Sequence, residues 1–337
     1  MLLSFYLSLD HGVVWAFEAD GPAAGFLESF ARAMGLSPAV GKAHRHVHFE
    51  VMPREPVKFF GPRLLRYVRG LPGREWKVKE HHDLIFFEHP AIHEIICELD
   101  PDVDRPARVD QMRRSLLPVY TDALLAGGLP IHGALVEIDG AGVILAGRSG
   151  EGKSTACRRL PAPWRVLGDD LCLVVRDVFG EYRVHPLPTW SAFGENGGSG
   201  VCRSGSSVPL RAVFFLEQSA GDECLALKKS KAAISLAASA LQVFRSIDFA
   251  FPRGEEASVK KALYDNAASL AVVVPSYLLQ LSLHGRFWEK IEEVLEQVKQ
   301  SQRGLLWETN AGEETTLSLD PVGSMHGDNP LFRAEEL

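Results

Sequence analysis

Eight residues, Gly147-Arg148-Ser149-Gly150-Glu151-Gly152-Lys153-Ser154, have the types and spacing of a phosphate-binding loop. A nucleotide's phosphates carry several negative charges that must be neutralised away from bulk water. Glycines at 147, 150 and 152 let the backbone curl so that successive amides point inward. A helix that follows adds its free amides and the positive end of its dipole at Ser154 and Thr155. In such a loop Lys153 reaches the β- and γ-phosphates, and the Ser154 hydroxyl is placed to ligand Mg²⁺.

A second group of residues able to do chemistry comes soon after. Asp169 and Asp170 lie at the end of an expected strand, Asp169 only 16 positions beyond Lys153. A two-turn helix and a short strand span about 10 Å each, so the chain can travel out and back within that interval. The two carboxylates are therefore expected beside the loop. One could bind Mg²⁺ and the other accept the proton of an attacking hydroxyl.

The elements that must position these residues can be read from patterning. Ala134–Ile138 and Gly142–Ala146 are apolar runs joined by Asp139-Gly140, a preferred hairpin turn pair, and the phosphate loop begins where the second run ends. A short helix, Ser154–Leu160, is stopped by Pro161 and Pro163, and Arg165–Leu167 forms a strand leading into Gly168-Asp169-Asp170. Leu171–Arg176 and Arg211–Leu216 read as further strands, and 107–126, 230–246, 258–274 and 285–301 as helices. Before them, 2–9, 12–17, 46–52 and 83–87 read as strands and 24–35 as a helix.

These patterns predict an N-terminal α/β domain over 1–104, a catalytic domain over 105–305, and a loosely held tail over 306–337. The acidic, proline-containing stretch 98–106 is the expected linker between the first two.

Composition narrows the setting. The 337-residue chain is 46% hydrophobic and 23% charged, ordinary for a folded protein. Its net charge of −7 argues against general binding to nucleic acid or anionic membranes, and no run approaches the ~20 apolar residues of a membrane span. The apolar start lacks the basic front and cleavage site of a signal peptide. Five scattered cysteines without CxxC spacing suggest reduced thiols in a cytoplasm, with neither zinc nor disulfides.

The motifs together resemble a known family. His132-Gly133-Ala134-Leu135-Val136-Glu137-Ile138, Gly142-Val143-Ile144-Leu145, the phosphate loop and Gly168-Asp169-Asp170 stand in the order found in the catalytic domain of HPr kinase/phosphorylase. That bacterial enzyme phosphorylates a serine on a carrier protein. The resemblance implies an HPr-kinase-like P-loop catalytic domain, α/β with a mixed sheet, similar to phosphoenolpyruvate carboxykinase, preceded here by a smaller α/β domain. It implies ATP and Mg²⁺ as cofactors, Asp169 as the base, and Ser154 with Asp170 at the metal. His132 matches a histidine near the family's active site; its other reading is a buried, hydrogen-bonded residue at a strand end.

The family's later Glu-Ile-Arg-Gly-Leu-Gly stretch is absent, and His185-Pro186-Leu187-Pro188-Thr189-Trp190-Ser191 stands in its place. The chain is more similar to HPr-kinase-related proteins of clusters that make ribosomally synthesised, modified peptides, of the SynChlorMet cassette type. That resemblance implies a serine or threonine kinase acting on a precursor peptide or small protein. A free-serine kinase and a nucleotide-dependent peptide-binding module without transfer are the alternatives. The first domain's separateness suggests leader recognition or homo-oligomer formation.

Other residues carry weaker expectations. His44, His46 and His48 share one face of a strand, read as solvated because no carboxylate or cysteine at suitable spacing completes a ligand set. His81-His82 is read the same way. Gly194–Gly200 is a candidate lid, Glu195 a replacement metal carboxylate, and Arg203 and Arg211 candidates to stabilise the transferring phosphoryl group.

Overall fold

The computed structural model describes residues 2–38, 41–52, 70–81, 83–89, 91–190, 202–246 and 256–313. The candidate lid, Glu195, His82 and residues 314–337 lie outside them. Residues 1–292 form one compact unit, and residues 293–337 form a second.

The first sheet contains β1 (Leu3–Ser8), β2 (Val14–Ala19), β3 (Arg45–Val51), β4 (Lys77–His81), β5 (Leu84–Glu88) and β6 (Glu94–Leu99), in the order β1-β2-β3-β6-β5-β4. The three central strands are mutually parallel, and the flanking pairs are antiparallel. Helix α1 (Ala24–Met34) buries Phe26, Leu27, Phe30 and Met34. Their helical spacing puts one apolar stripe against the sheet's aromatic residues, with Phe30 5.0 Å from Phe17 and 5.8 Å from Phe49 between ring centres. The helix ends at Gly35, in the left-handed conformation (φ 61°); a Cβ there would lie 1.8 Å from the Cys202 carbonyl oxygen. Both the cap and the close approach require glycine.

The expected linker begins later than its composition suggests. Glu98 and Leu99 are still part of β6 and are buried, because strand pairing with β5 and β3 overrides the acidic character of the stretch. Asp104 then caps α2 (Arg105–Arg114) by accepting the Ala107 amide at 2.9 Å. The expected helix 107–126 is two helices. α2 stops at Arg114 and α3 (Leu117–Leu125) starts anew, with Pro118, which has no amide to donate, in its first turn.

The second sheet has eight strands. They are β7 (Leu129–Ile138), β8 (Ala141–Ala146), β9 (Arg165–Gly168), β10 (Leu171–Arg176), β11 (Tyr182–Leu187), β12 (Val208–Gln218), β13 (Glu223–Ala226) and β14 (Ser276–Leu281). Its main order is β11-β10-β7-β8-β12-β14-β13, with β9 also on β7. β8, β12 and β14 run parallel, so their C-terminal ends share one edge. The first residues of β12 also pair with β11, which curls that part of the sheet back on itself. The hairpin turn is as expected: Asp139 and Gly140 both have positive φ (49° and 78°), as a primed two-residue turn demands.

Helix α4 (Lys153–Arg159) follows β8, while α5 (Lys229–Ser246) and α6 (Glu256–Val273) fall where their periodicity places them. β14 has no counterpart among the expected elements. The run Ala271-Val272-Val273-Val274 flows into it, and only Val274 and Pro275 separate helix from strand. The last helix, α7 (Phe287–Glu313), reaches beyond the expected limit of 301 into the expected tail. Buried side chains from both sheets, among them Phe17, Phe49, Leu135, Ile144 and Val213, belong to one continuous core. Trp190, after β11, stacks 6.4 Å from Phe30 of α1. No helix among the described residues is long and apolar enough to cross a membrane.

Candidate functional site

Strand register converges the expected residues on one edge of the second sheet. β8 delivers the phosphate loop at its C-terminal end, the end shared with β12 and β14. β7 is antiparallel to β8 and starts at that edge, with Gly133 opposite Ala146, so His132 stands beside the loop. On its other side β7 pairs with two strands in turn, β10 at residues 129–132 and β9 at residues 135–137. Asp169-Asp170 is the two-residue link between those strands. Leu171 lies directly opposite His132, which fixes where Asp170 emerges.

The loop's own geometry follows from its glycines. Gly150 and Gly152 have φ of 86° and 99°, and a Cβ on Gly147 would lie 2.7 Å from a Glu151 carboxylate oxygen. The Arg148 amide donates to that Glu151 carboxylate at 2.5 Å, and the Glu151 amide donates back to the Arg148 carbonyl at 3.2 Å. Gln218, at the end of β12, donates to the Gly150 carbonyl at 2.8 Å. The Lys153 ammonium folds over the loop and donates to the carbonyls of Gly147 and Arg148 at 2.7 and 3.1 Å. Lys153 is buried, and desolvation lowers its pKa; the charges of Asp170, Glu151 and Asp169 act the other way. Ser149 and Ser154 are exposed, and Thr155 is half-buried. The first amide with an intrahelical partner is that of Ala156, bonded to Gly152.

The paired aspartates face different neighbours. Asp169 accepts a hydrogen bond from the Thr189 hydroxyl. It also lies near the buried face of α4, where burial of Cys157, helped by the Asp169 charge, pushes that thiol up to about 12. Asp170 lies 3.6 Å from Nδ1 of His132 and keeps 40% of its side chain exposed. The His132 pKa is lowered, first by desolvation and then by Lys153, against the pull of Asp170. The His132 carbonyl accepts from Ser239 of α5 at 3.1 Å, and its Nε2 has no hydrogen-bond partner among the described residues. The histidine is thus fastened at its backbone and free at one ring nitrogen.

Not every expected participant arrives. Arg211 lies at the start of β12, level with Gly142, which is the far end of β8 from the loop, and it pairs with Glu181 at 2.7 Å. Arg203 packs beside Gly35 at the end of α1. Patterning missed Thr189, Gln218 and Arg159. Arg159 ties α4 to the segment after β14 through the Ser282 carbonyl at 2.7 Å and the Gly285 carbonyl. The signal for Thr189 was its place in the segment that replaces the family's missing stretch.

The donors fit the groups the resemblance implies. Mg²⁺ takes hard oxygen ligands, and the Ser154 hydroxyl and the part-exposed Asp170 carboxylate are such donors near Lys153. The left-handed glycines and the first-turn amides of α4 suit a polyphosphate.

Loop, aspartate pair and strand-end histidine share one sheet edge of a mixed α/β protein with two sheets, of the HPr-kinase type. Residues 95–296, more than half of the chain, match the family described as SynChlorMet cassette protein ScmC, and the chain belongs to that family. Over 143 residues it is 32% identical to the HPr kinase/phosphorylase of Bacillus subtilis, spanning 38% of this chain and 45% of that enzyme. It is 33% identical over 145 residues to the enzyme of Bacillus pumilus, with the same coverage. The Listeria welshimeri enzyme is 27% identical over 135 residues, 36% of this chain and 43% of that one. The chain thus spans less than half the length of the curated relatives it matches.

Proposed function

We propose that the chain is an ATP- and Mg²⁺-dependent kinase that phosphorylates a serine or threonine hydroxyl of a peptide or small protein. A ribosomally made precursor peptide is the acceptor we favour. The observation that carries the reading is the convergence of Lys153, the Asp169-Asp170 pair and His132 on the edge where β8 ends. A loop that only held nucleotide would need no carboxylate pair opposite it. The similar enzymes are named for a protein acceptor, HPr, which favours a peptide over free serine.

In this reading Lys153 leaves the two loop carbonyls to meet the β- and γ-phosphates, and the loop amides hold the remaining oxygens. Ser154 and Asp170 hold Mg²⁺. When bound, the ion would neutralise charge on the phosphates. Asp169, oriented by Thr189, takes the proton from the acceptor hydroxyl. The hydroxyl oxygen forms the new bond to the γ-phosphorus, the bond from that phosphorus to its bridging oxygen breaks, and ADP carries the electron pair away. His132, kept neutral by its surroundings, steadies Asp170 without adding a positive charge that would draw it from the metal.

The test is incubation with ATP, Mg²⁺ and peptides encoded beside the gene, followed by mass spectrometry for one added phosphoryl group on a serine or threonine. Phosphorylation of free serine in preference to every peptide would overturn the acceptor class. ATP that tightens peptide binding without any transfer would overturn the kinase reading.

A further inference from the structure

The histidine face of the first sheet is not simply solvated. β3 is an internal strand, paired with β2 on one side and β6 on the other, and each neighbour brings a carboxylate to it. Glu18 stands directly opposite His48 across the β2–β3 pair, and Glu94 stands opposite His46 across the β3–β6 pair. The expectation considered only ligands near His44–His48 in the chain. Parallel pairing brings in carboxylates from about 30 residues before and 50 after.

The distances are those of a ligand set. One oxygen of Glu18, Oε2, lies 3.2 Å from Nδ1 of His46 and 3.3 Å from Nδ1 of His48. One ligand atom from each of Glu18, His46 and His48 lies within 4.8 Å of the other two. Ligands bound at about 2.0 Å to a tetrahedral ion stand about 3.3 Å apart, the edge of that tetrahedron.

The outer contacts are arranged to suit. Ser4 donates to the other Glu18 oxygen, Oε1, at 3.0 Å, which leaves Oε2 aimed at the two imidazoles. Nε2 of His48 lies 2.7 Å from Glu94, so Nε2–H donates to that carboxylate and Nδ1 is left as a lone-pair donor. A carboxylate on the far nitrogen of a histidine is the usual outer support of a zinc ligand. The His46 and His48 rings lie nearly parallel, 11° apart with centres at 6.0 Å. Glu18 is buried and both histidines are partly buried, which limits competition from water.

We propose that Glu18, His46 and His48 bind a divalent transition-metal ion of the zinc class, with Glu94 and Ser4 as positioning residues. Two imidazole nitrogens and one carboxylate select zinc over Mg²⁺, which prefers oxygen. Three protein ligands leave the fourth position to water or to an incoming donor. The site lies on the first sheet and is independent of the phosphate loop.

The experiment uses the full, tag-free chain, stripped with chelator and titrated with Co²⁺ and then Zn²⁺. The expected result is one Co²⁺ per chain with the strong visible bands of four-coordinate cobalt, displaced stoichiometrically by Zn²⁺ and not by excess Mg²⁺. H46A/H48A abolishes the bands, and E94Q weakens zinc binding about 10- to 100-fold. H93A, which removes an exposed neighbouring histidine, leaves binding unchanged. Wild-type chain that gives no cobalt bands and takes up no zinc would overturn the proposal, whatever the variants do. Equal zinc binding by a folded H46A/H48A chain would overturn it as well.

Discussion

Two histidine–carboxylate contacts lie near each other in the second sheet, and they are built in opposite ways. His132, at the start of β7, stands 3.6 Å from Asp170, and its Nε2 has no partner among the described residues. His185, in β11, is 1% exposed and fully engaged: Nδ1 lies 2.9 Å from the Ser204 carbonyl and Nε2 2.9 Å from the Asp10 carboxylate. The second contact joins the turn after β1 to the second sheet and leaves no ring nitrogen free. Its geometry resists change. The first keeps a loose distance and a part-exposed carboxylate, which suits groups that must accept a ligand. Burying and saturating a polar pair makes a fastener, whereas a polar pair left partly unsatisfied is available for chemistry.

If that contrast holds, substitutions at the phosphate-loop edge should lower transfer with little change in stability, and substitutions at Asp10 should do the reverse. The largest effect is expected for Asp169→Asn. It keeps shape and the Thr189 contact but removes the base, so the transfer rate should fall about 10²- to 10⁴-fold with ATP affinity retained. Single-turnover phosphorylation together with nucleotide titration measures both. Normal transfer by this variant would move the base elsewhere, with Asp170 the next candidate.

Lys153→Ala should lower transfer about 10²- to 10³-fold and weaken ATP binding as well, since it removes a charge aimed at the developing negative charge. The thermal midpoint should stay close to wild type, because among the described residues the Lys153 ammonium hydrogen-bonds to two loop carbonyls. A marked loss of stability would instead make Lys153 a structural lysine and blur the contrast with His185.

Thr189→Val asks a finer question. The hydroxyl touches Asp169, and losing it leaves the carboxylate free to turn. Small misplacements of a reacting group cost about tenfold to a hundredfold in rate. The expected signature is a lower kcat at unchanged KM for ATP, with partial rescue by Thr189→Ser. An equal fall in ATP affinity would place Thr189 in the nucleotide contact instead.

The legible parts of this molecule were those where function and fold are local in the chain. The loop, its strand and helix, and the return to Asp169 occupy residues 141–170, so glycine spacing, one turn pair and two prolines were enough to place them. His132 was legible only as far as its hairpin; the register that brings it within 3.6 Å of Asp170 was not. Long-range pairing was not legible. β14 is parallel to β12, one strand in from the edge strand β13, yet its apolar run merges with that of α6 and has no period of its own. His81 is buried edge-on against Phe86, although its neighbours Lys79 and Glu80 suggest an exposed strand. Glu18 and Glu94 were invisible as partners of His46 and His48, because only the sheet brings them together.

The smallest expected effect tests the fastener itself. The hydrogen bond from His185, with lesser help from Ser207 and Arg183, holds the Asp10 carboxyl well below its ordinary value of 3.8, against the opposing effect of burial. The unfolded chain therefore takes up this proton first as the pH falls. The stabilisation is fully present above 3.8 and is lost as the pH drops towards the lower folded value. Asp10→Asn should consequently flatten the acid side of the stability curve while leaving transfer at neutral pH unchanged. Asp10→Ala, which strips the partner from a buried ring nitrogen, should cost about 1–3 kcal/mol, nearer the lower figure because a third of the Asp10 side chain is exposed. Urea unfolding between about pH 6 and pH 2 measures both variants. An acid limb as steep in Asp10→Asn as in wild type would show that the Asp10–His185 contact contributes nothing. Saturation of a buried pair would then be no guide to which histidine holds the fold.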